Sequence, residues 1–187
     1  MFYPLFKRAI DFVVAIIGLV FCSVIYIPVA IAIKLDSNGP VIFGQERVGQ
    51  KRRVFTCYKF RTMYTTVSDN KYKPTISDER VTRAGRILRR WSLDELPQFW
   101  NILRGDMSLV GPRPELDEFV SNYEDWQYRR FETKPGLTGW WQVNGRKQPM
   151  YDYIHEDIYY VDHQSMLLDI KIILRTLAAI FSGRGAI

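Results

Sequence analysis

The most apolar tract of the chain, 12–33, is interrupted only by Gly18, Ser23, Tyr26 and Pro28. Together with Ile10 it predicts a membrane-inserted helix over 10–33, since about 20 apolar residues suffice to cross a bilayer core. Lys7 and Arg8 precede this tract and Lys34, Arg47, Lys51, Arg52 and Arg53 follow it, so neither side carries the charge excess that orients a spanning helix. By spacing alone a straight span is the commoner fate of such a segment, and a re-entrant helix, entering and leaving by one face, is the alternative. Pro28 frees a backbone carbonyl and Ser23 can bond neighbouring backbone groups, so these two residues are the candidate helix break.

After a turn at 35–40, two alternating stretches, 41–48 and 53–63, predict a β-hairpin with Gly49-Gln50-Lys51-Arg52 at its basic tip. In the second strand Phe55, Cys57, Lys59 and Arg61 share a face. Residues 64–80 are polar and proline-interrupted, and read as a loop. Ala84, Ile87, Leu88 and Trp91 then recur at helical spacing and predict a buried stripe, with Arg83, Arg86 and Arg90 on another face. Leu96, Phe99, Trp100 and Leu103 repeat the pattern in a second helix that Gly105 can end. Further helices are marked by Leu116, Phe119, Val120 and Tyr123, and by Ile154, Ile158 and Val161. The last stripe, Leu167, Ile170, Leu174, Leu177 and Phe181, is expected to pack on the domain, with a place on the membrane surface as the alternative.

The fold class is therefore α+β, mainly helical. At 187 residues and 47% hydrophobic, one domain with its own core is expected over 1–187, with 34–187 as the part outside the membrane. The net charge of +6 favours anionic partners, whether nucleic acid, lipid headgroups or phosphorylated small molecules. No nucleic-acid-binding module is recognisable, and the membrane segment argues against one. Cys22 and Cys57 lack the spacing of a metal site or a disulfide framework, which points to a reducing compartment.

Chemistry concentrates between the two central helices, at Asp94-Glu95. Ser92 and Glu95 fit a capping box, which would make both carboxylates structural. Asp94 as N-cap instead puts Pro97 third in the helix, where its missing N–H removes nothing. In that second arrangement the helix dipole keeps Asp94 ionised, and a fixed carboxylate among arginines is a candidate nucleophile toward phosphorus. A plain N-cap beside a solvent-facing glutamate remains the bland alternative. Lys59 and Arg61 could hold a phosphate or form a solvated strand face. In Gly111-Pro112-Arg113-Pro114 the two prolines stiffen the backbone around Arg113, which suits bidentate phosphate binding or simply a rigid connector. A glycine-punctuated loop, Lys134-Pro135-Gly136-Leu137-Thr138-Gly139-Trp140-Trp141-Gln142-Val143-Asn144-Gly145-Arg146, allows close approach to a ligand and adds a cation at Arg146. Asp157 could orient an arginine, help bind metal, or lie on the surface.

Several of these runs carry a resemblance. Ser92-Leu93-Asp94-Glu95-Leu96-Pro97-Gln98, Asn101-Ile102-Leu103-Arg104-Gly105-Asp106-Met107-Ser108 and Gly111-Pro112-Arg113-Pro114 resemble the bacterial sugar transferases that are small monotopic phosphoglycosyl transferases. The resemblance implies a monotopic domain with a re-entrant, broken N-terminal helix and amphipathic interfacial helices. Relatives break that helix at a Ser-Pro pair; here Val24 follows Ser23, and the nearest proline is Pro28. It further implies transfer of a sugar 1-phosphate from a UDP-sugar to polyprenyl (undecaprenyl) phosphate with release of UMP, at the cytoplasmic face of the bacterial inner membrane. The product would begin a lipid-linked surface glycan. Carried over residue by residue, Asp94 is the nucleophile, Glu95 assists, and both help hold Mg²⁺. Arg89 matches a phosphate-binding arginine, Arg113 and Arg146 would contact the nucleotide or its phosphates, and Asp157 matches an acidic position near the site. Larger relatives carry additional N-terminal membrane helices, so the chain resembles the minimal catalytic form. The competing readings are a basic membrane-surface binding module and a glycosyltransferase that releases UDP; homo-oligomerisation is left open.

Overall fold

The computed structural model describes residues 3–65, 78–144 and 154–182. Helix α1, Tyr3–Asp36, has 34 residues and is about 50 Å long, so it outruns the predicted 10–33 at both ends. Its buried residues are Asp11, Ala15, Gly18, Cys22, Val29 and Ile33, a single helical stripe. Leu5, Phe6, Ile17, Val20, Val24, Ile27 and Leu35 are each more than half exposed. Ser23 and Pro28, the candidate break, both lie inside the helix. Ser23 turns its hydroxyl back onto the Val20 carbonyl at 2.7 Å, and Pro28 lies within the helix, where it removes one intrahelical bond that the turns on either side survive.

The domain grips α1 along its whole length. Near the start, Arg8 donates to the carbonyls of Ile102 and Leu103, at 2.7 and 2.9 Å, and the buried Asp11 accepts the Leu109 N–H at 2.9 Å. Midway, the Phe99 ring lies against Gly18. At the far end Asp36 accepts the Ala84 N–H at 2.6 Å.

Strands β1, Ile42–Val48, and β2, Val54–Phe60, form the expected antiparallel hairpin, pairing Ile42 with Phe60 and Val48 with Val54. A 3-10 turn, Gln50–Arg52, makes the tip. Helix α2, Arg83–Arg90, starts at Thr82, whose hydroxyl accepts the Gly85 N–H at 2.9 Å. It lies so close to the end of β2 that a Cβ on Gly85 would stand 2.2 Å from the Thr62 carbonyl oxygen. This contact turns Gly85 and Leu88 inward and leaves Ile87 and Trp91 exposed, contrary to the predicted stripe.

Helix α3, Gln98–Arg104, ends at Gly105 in the left-handed region, as expected. Its most buried positions include two amides, Gln98 and Asn101, while Trp100 of the predicted stripe is exposed. Asn101 joins α3 to the hairpin: Oδ1 accepts the Tyr58 N–H at 3.1 Å, and Nδ2 donates to the Thr56 carbonyl at 2.7 Å.

Strands β3, Ser108–Val110, and β4, Gly136–Thr138, pair in parallel. Where they meet, a Cβ on Gly136 would sit 2.1 Å from the Gly111 nitrogen. These glycines therefore serve the approach of one chain segment to another, where a ligand was expected. Helix α4, Asp117–Val120, follows β3 and packs on β1, and helix α5, Trp140–Asn144, follows β4 and packs on the last two helices of the chain. Trp140 stacks on Tyr159, with Lys171 and Arg175 over its ring.

Helix α6, Ile154–His163, turns Ile154, Asp157, Tyr160 and Val161 inward. Helix α7, Met166–Phe181, reverses the expectation set for it. It docks through Asp169, which accepts from Lys7 at 2.7 Å, Tyr3 at 3.0 Å and Tyr160 at 2.7 Å, and through Ile172. Leu167, Leu174 and Phe181 face outward, 61–81% exposed, because three donors hold the polar side of the helix to the domain. The main core gathers Ala15, Cys57, Ile102, Met107, Leu109, Val110, Tyr160 and Ile172, drawing on helices and both sheets.

Candidate active site

The chain leaves α2 through Ser92, held in the left-handed region at φ 54, and enters a 3-10 turn, Leu93–Glu95. Neither predicted cap forms: Ser92 makes no side-chain capping bond, and Pro97 occupies the N-cap position of α3. The left-handed residue inserts a tight turn between the helices, which carries Asp94 into the domain. Asp94 is 8% exposed.

Burial pushes the Asp94 carboxyl above its usual range, opposed by the charges of Lys59 and Arg89 and reinforced by Glu95. The expected support from the dipole of α3 is not at this position, because Pro97 and not Asp94 takes the N-cap of that helix. Desolvation disfavours the charged form, and the cations beside it counter that only in part.

Glu95 accepts from Lys59 Nζ at 2.7 Å, and Arg113 Nη1 lies 3.8 Å from the same oxygen. Arg89 is fixed through its Nε, which donates to the Thr62 hydroxyl at 3.0 Å. Lys59, Glu95 and Arg113 line a small cleft together with Arg47, Gln98 and Gly136. The cleft has about 10 Å³ of free space, the room of one water molecule.

Of the predicted site residues, Asp94, Glu95, Lys59, Arg89 and Arg113 come together. Arg61 does not join them. Its guanidinium donates to the Pro40 carbonyl and the Ser37 hydroxyl, both at 2.6 Å, and to the Ser37 carbonyl at 2.9 Å, so it ties down the turn after α1. Asp157 is buried and accepts from Arg130 at 2.5 Å, which makes it the partner of an arginine and neither a surface acid nor a member of the Asp94-Glu95 pair. Arg146 and most of the 64–80 loop lie outside the described residues.

Arg47 was missed, although a signal for it exists. In the hairpin register Arg47 faces Phe55 and Gln45 faces Cys57, so Arg47 falls on the face that carries Lys59. Gln98, Glu115 and Arg130 gave no such signal, since nothing in their spacing marks them as buried.

Among the described residues no three His, Cys, Asp or Glu side chains converge on a metal position. The Asp94-Glu95 pair nevertheless has the donors that suit Mg²⁺, which is commonly held by one or two carboxylates plus the phosphates of its substrate. Glu95 would contribute only after exchanging its contact with Lys59.

Residues 2–183 match the family model for bacterial sugar transferases. The chain belongs to this family. A sugar transferase of uncharacterised role from Bacillus subtilis, EpsL, is 43% identical over 180 residues, covering 96% of this chain and 89% of EpsL. A UDP-N-acetylgalactosamine-undecaprenyl-phosphate N-acetylgalactosaminephosphotransferase from Aeromonas hydrophila is 40% identical over 98% of this sugar transferase. The UDP-glucose:undecaprenyl-phosphate glucose-1-phosphate transferase of Escherichia coli is 41% identical over 97%. This sugar transferase spans 45% and 41% of the lengths of those last two relatives.

Proposed function

We propose that the protein transfers a sugar 1-phosphate from a UDP-sugar to undecaprenyl phosphate, releasing UMP, through a covalent intermediate on Asp94. The observation that carries this reading is a buried carboxylate, Asp94, placed beside Glu95 within the fields of Lys59 and Arg89. Transferases named for the same reaction type share 40–41% of its residues.

In the first step an Asp94 oxygen attacks the β-phosphorus of the donor. An aspartyl O–P bond forms, the bond from that phosphorus to the bridging oxygen breaks, and the electron pair leaves with UMP. In the second step an oxygen of the lipid phosphate attacks the same phosphorus, which releases the Asp94 carboxylate. Lys59, Arg89 and Arg113 counter the charge on the moving phosphoryl group. The donor diphosphate competes with Glu95 for Lys59 and Arg113, since the cleft as it stands has no room for it. Asp94 and Glu95 would hold Mg²⁺, whose charge would offset that of the diphosphate.

The lipid acceptor requires a site at the membrane boundary. Helix α1 is long and apolar enough to cross a membrane. A straight span would carry one of its ends to the opposite side, yet both ends bond to the same charged domain: Arg8 and Asp11 near one terminus, Asp36 at the other. That supports a monotopic, re-entrant placement with the domain at the cytoplasmic face, and the outward apolar residues of α7, with Ile87, Trp91 and Trp100, extend the surface that would meet lipid.

The deciding experiment is nucleotide release by detergent-purified protein given Mg²⁺, undecaprenyl phosphate and a panel of UDP-sugars. Lipid-dependent UMP is expected, and the productive donor identifies the sugar. UDP would mean transfer of sugar alone; neither nucleotide, from folded protein, would favour a binding module.

Arg89→Lys tests the site from another side. Lysine keeps the charge but cannot hold the Thr62 hydroxyl and present a planar fork together, so kcat/KM is expected to fall about 10-fold to 100-fold. Unchanged kinetics would remove Arg89 from the site.

A further inference from the structure

Four successive carbonyls of the 112–115 segment are each bonded to a different donor. Pro112 accepts the Gly136 N–H at 2.8 Å, Arg113 accepts Arg130 Nη2 at 2.8 Å, Pro114 accepts Arg47 Nη1 at 3.4 Å, and Glu115 accepts the Val48 N–H at 2.8 Å. Two of the four donors are arginine side chains. Arg130 and Glu115 are 2% and 0% exposed, and Asp157 is 4% exposed. Glu115 lies between the arginines, 3.7 Å from Arg47 and 4.0 Å from Arg130, while Asp157 takes Arg130 Nη2 at 2.5 Å and Tyr123 is bonded to Arg130 Nη1.

A buried ion network is a weak way to gain stability, because apolar residues of similar volume commonly do as well or better. What a guanidinium provides instead is direction, since its planar fork holds several acceptors in fixed geometry. Here one arm of that fork reaches the backbone of the residue whose own side chain faces Glu95 across the cleft.

We infer that Arg130 is a positioning residue: held by Asp157 and Glu115, it fixes the backbone of Arg113 so that the Arg113 guanidinium meets the donor's diphosphate. This rests on the functional reading above, in which Arg113 binds phosphate. Asp157 acts one step further out, by aiming Arg130.

The test is a double-mutant cycle on the full chain in detergent, with UDP plus Mg²⁺ as the binding probe and thermal midpoints recorded for every variant. Arg130→Lys retains charge but loses the fork, and Asp157→Asn is a milder second variant that keeps the shape of the side chain. Each is expected to weaken UDP binding about 5-fold to 30-fold in the otherwise native protein and less than about 2-fold in an Arg113→Met background. A purely structural role would give the same loss in both backgrounds, and that result overturns the inference. So does native UDP affinity in both the Arg130→Lys and Asp157→Asn proteins. If the native protein binds no UDP, the functional reading falls and takes this inference with it. If the native protein binds UDP and Arg113→Met binds it equally well, only the inference falls.

Discussion

Asp94→Asn is expected to abolish lipid-dependent UMP release, with a loss on the order of 10⁴-fold or more, while making the fold more stable at neutral pH. The amide keeps the shape of the side chain and removes the nucleophile. The stability gain follows from the direction of the Asp94 shift. Its carboxyl is raised in the folded protein above the ordinary 3.8, with burial as the leading cause. Below the unfolded value the group is protonated in both states and folding bears no charge. As pH rises from there to the folded value, folding must return a proton to a group that is ionised when unfolded, and stability falls. Once the folded value is passed, the loss stays constant. Asparagine escapes that cost. The thermal midpoint of Asp94→Asn, measured without metal, should therefore exceed that of the native protein at pH 7.5, with little difference at pH 4. An equal or lower midpoint at pH 7.5 would mean that Lys59 and Arg89 more than repay the desolvation. The same shift predicts that the acid limb of the kcat/KM profile lies above the range of an exposed aspartate.

Asn101→Ala is expected to cost about 3 kcal/mol, because it empties a fully buried side-chain site and removes the bonds to the Tyr58 N–H and the Thr56 carbonyl that tie α3 to β2. For a domain of this size the corresponding fall in thermal midpoint is roughly 6–12 °C. Catalysis should suffer beyond stability. Asn101 joins the helix that follows Asp94-Glu95 to the strand that carries Lys59, so the Lys59–Glu95 contact loses its support. Weaker UDP binding at a temperature where the variant is still folded would show this. A midpoint within 2 °C of the native value would show that α3 and β2 are held together by their apolar contacts alone.

The expected functions of individual residues divided along a physical line. Asp94 and Glu95 were legible from their place between two helices and Arg113 from its flanking prolines, whereas Arg89 entered only through the family resemblance. Lys59 was open between phosphate binding and a solvated face until packing set it and Arg113 against Glu95. Arg61 shares a strand face with Lys59, yet two residues further along it meets the turn at 37–40, where the Pro40 and Ser37 carbonyls and the Ser37 hydroxyl engage its three guanidinium nitrogens. Alternation identifies a face, but not what lies opposite each position on it. Asp157 was read with three alternatives open, and only the arrival of Arg130 from a segment 27 residues earlier decided among them.

By itself the sequence determined a long apolar N-terminal helix, a hairpin with a basic tip, a pair of helices around Asp94-Glu95 and a stiff Arg113 loop, because each depends on local spacing and on residues with restricted backbones. The tertiary structure decided which side of each helix faces inward. In α7 the donors of Tyr3, Lys7 and Tyr160 on Asp169 turned an apolar stripe outward, and in α2 the contact of Gly85 with the Thr62 backbone did the same to Ile87 and Trp91. Hydrophobic periodicity marks an apolar face without saying whether protein or lipid will cover it, whereas a buried carboxylate with three donors must face the protein that supplies them.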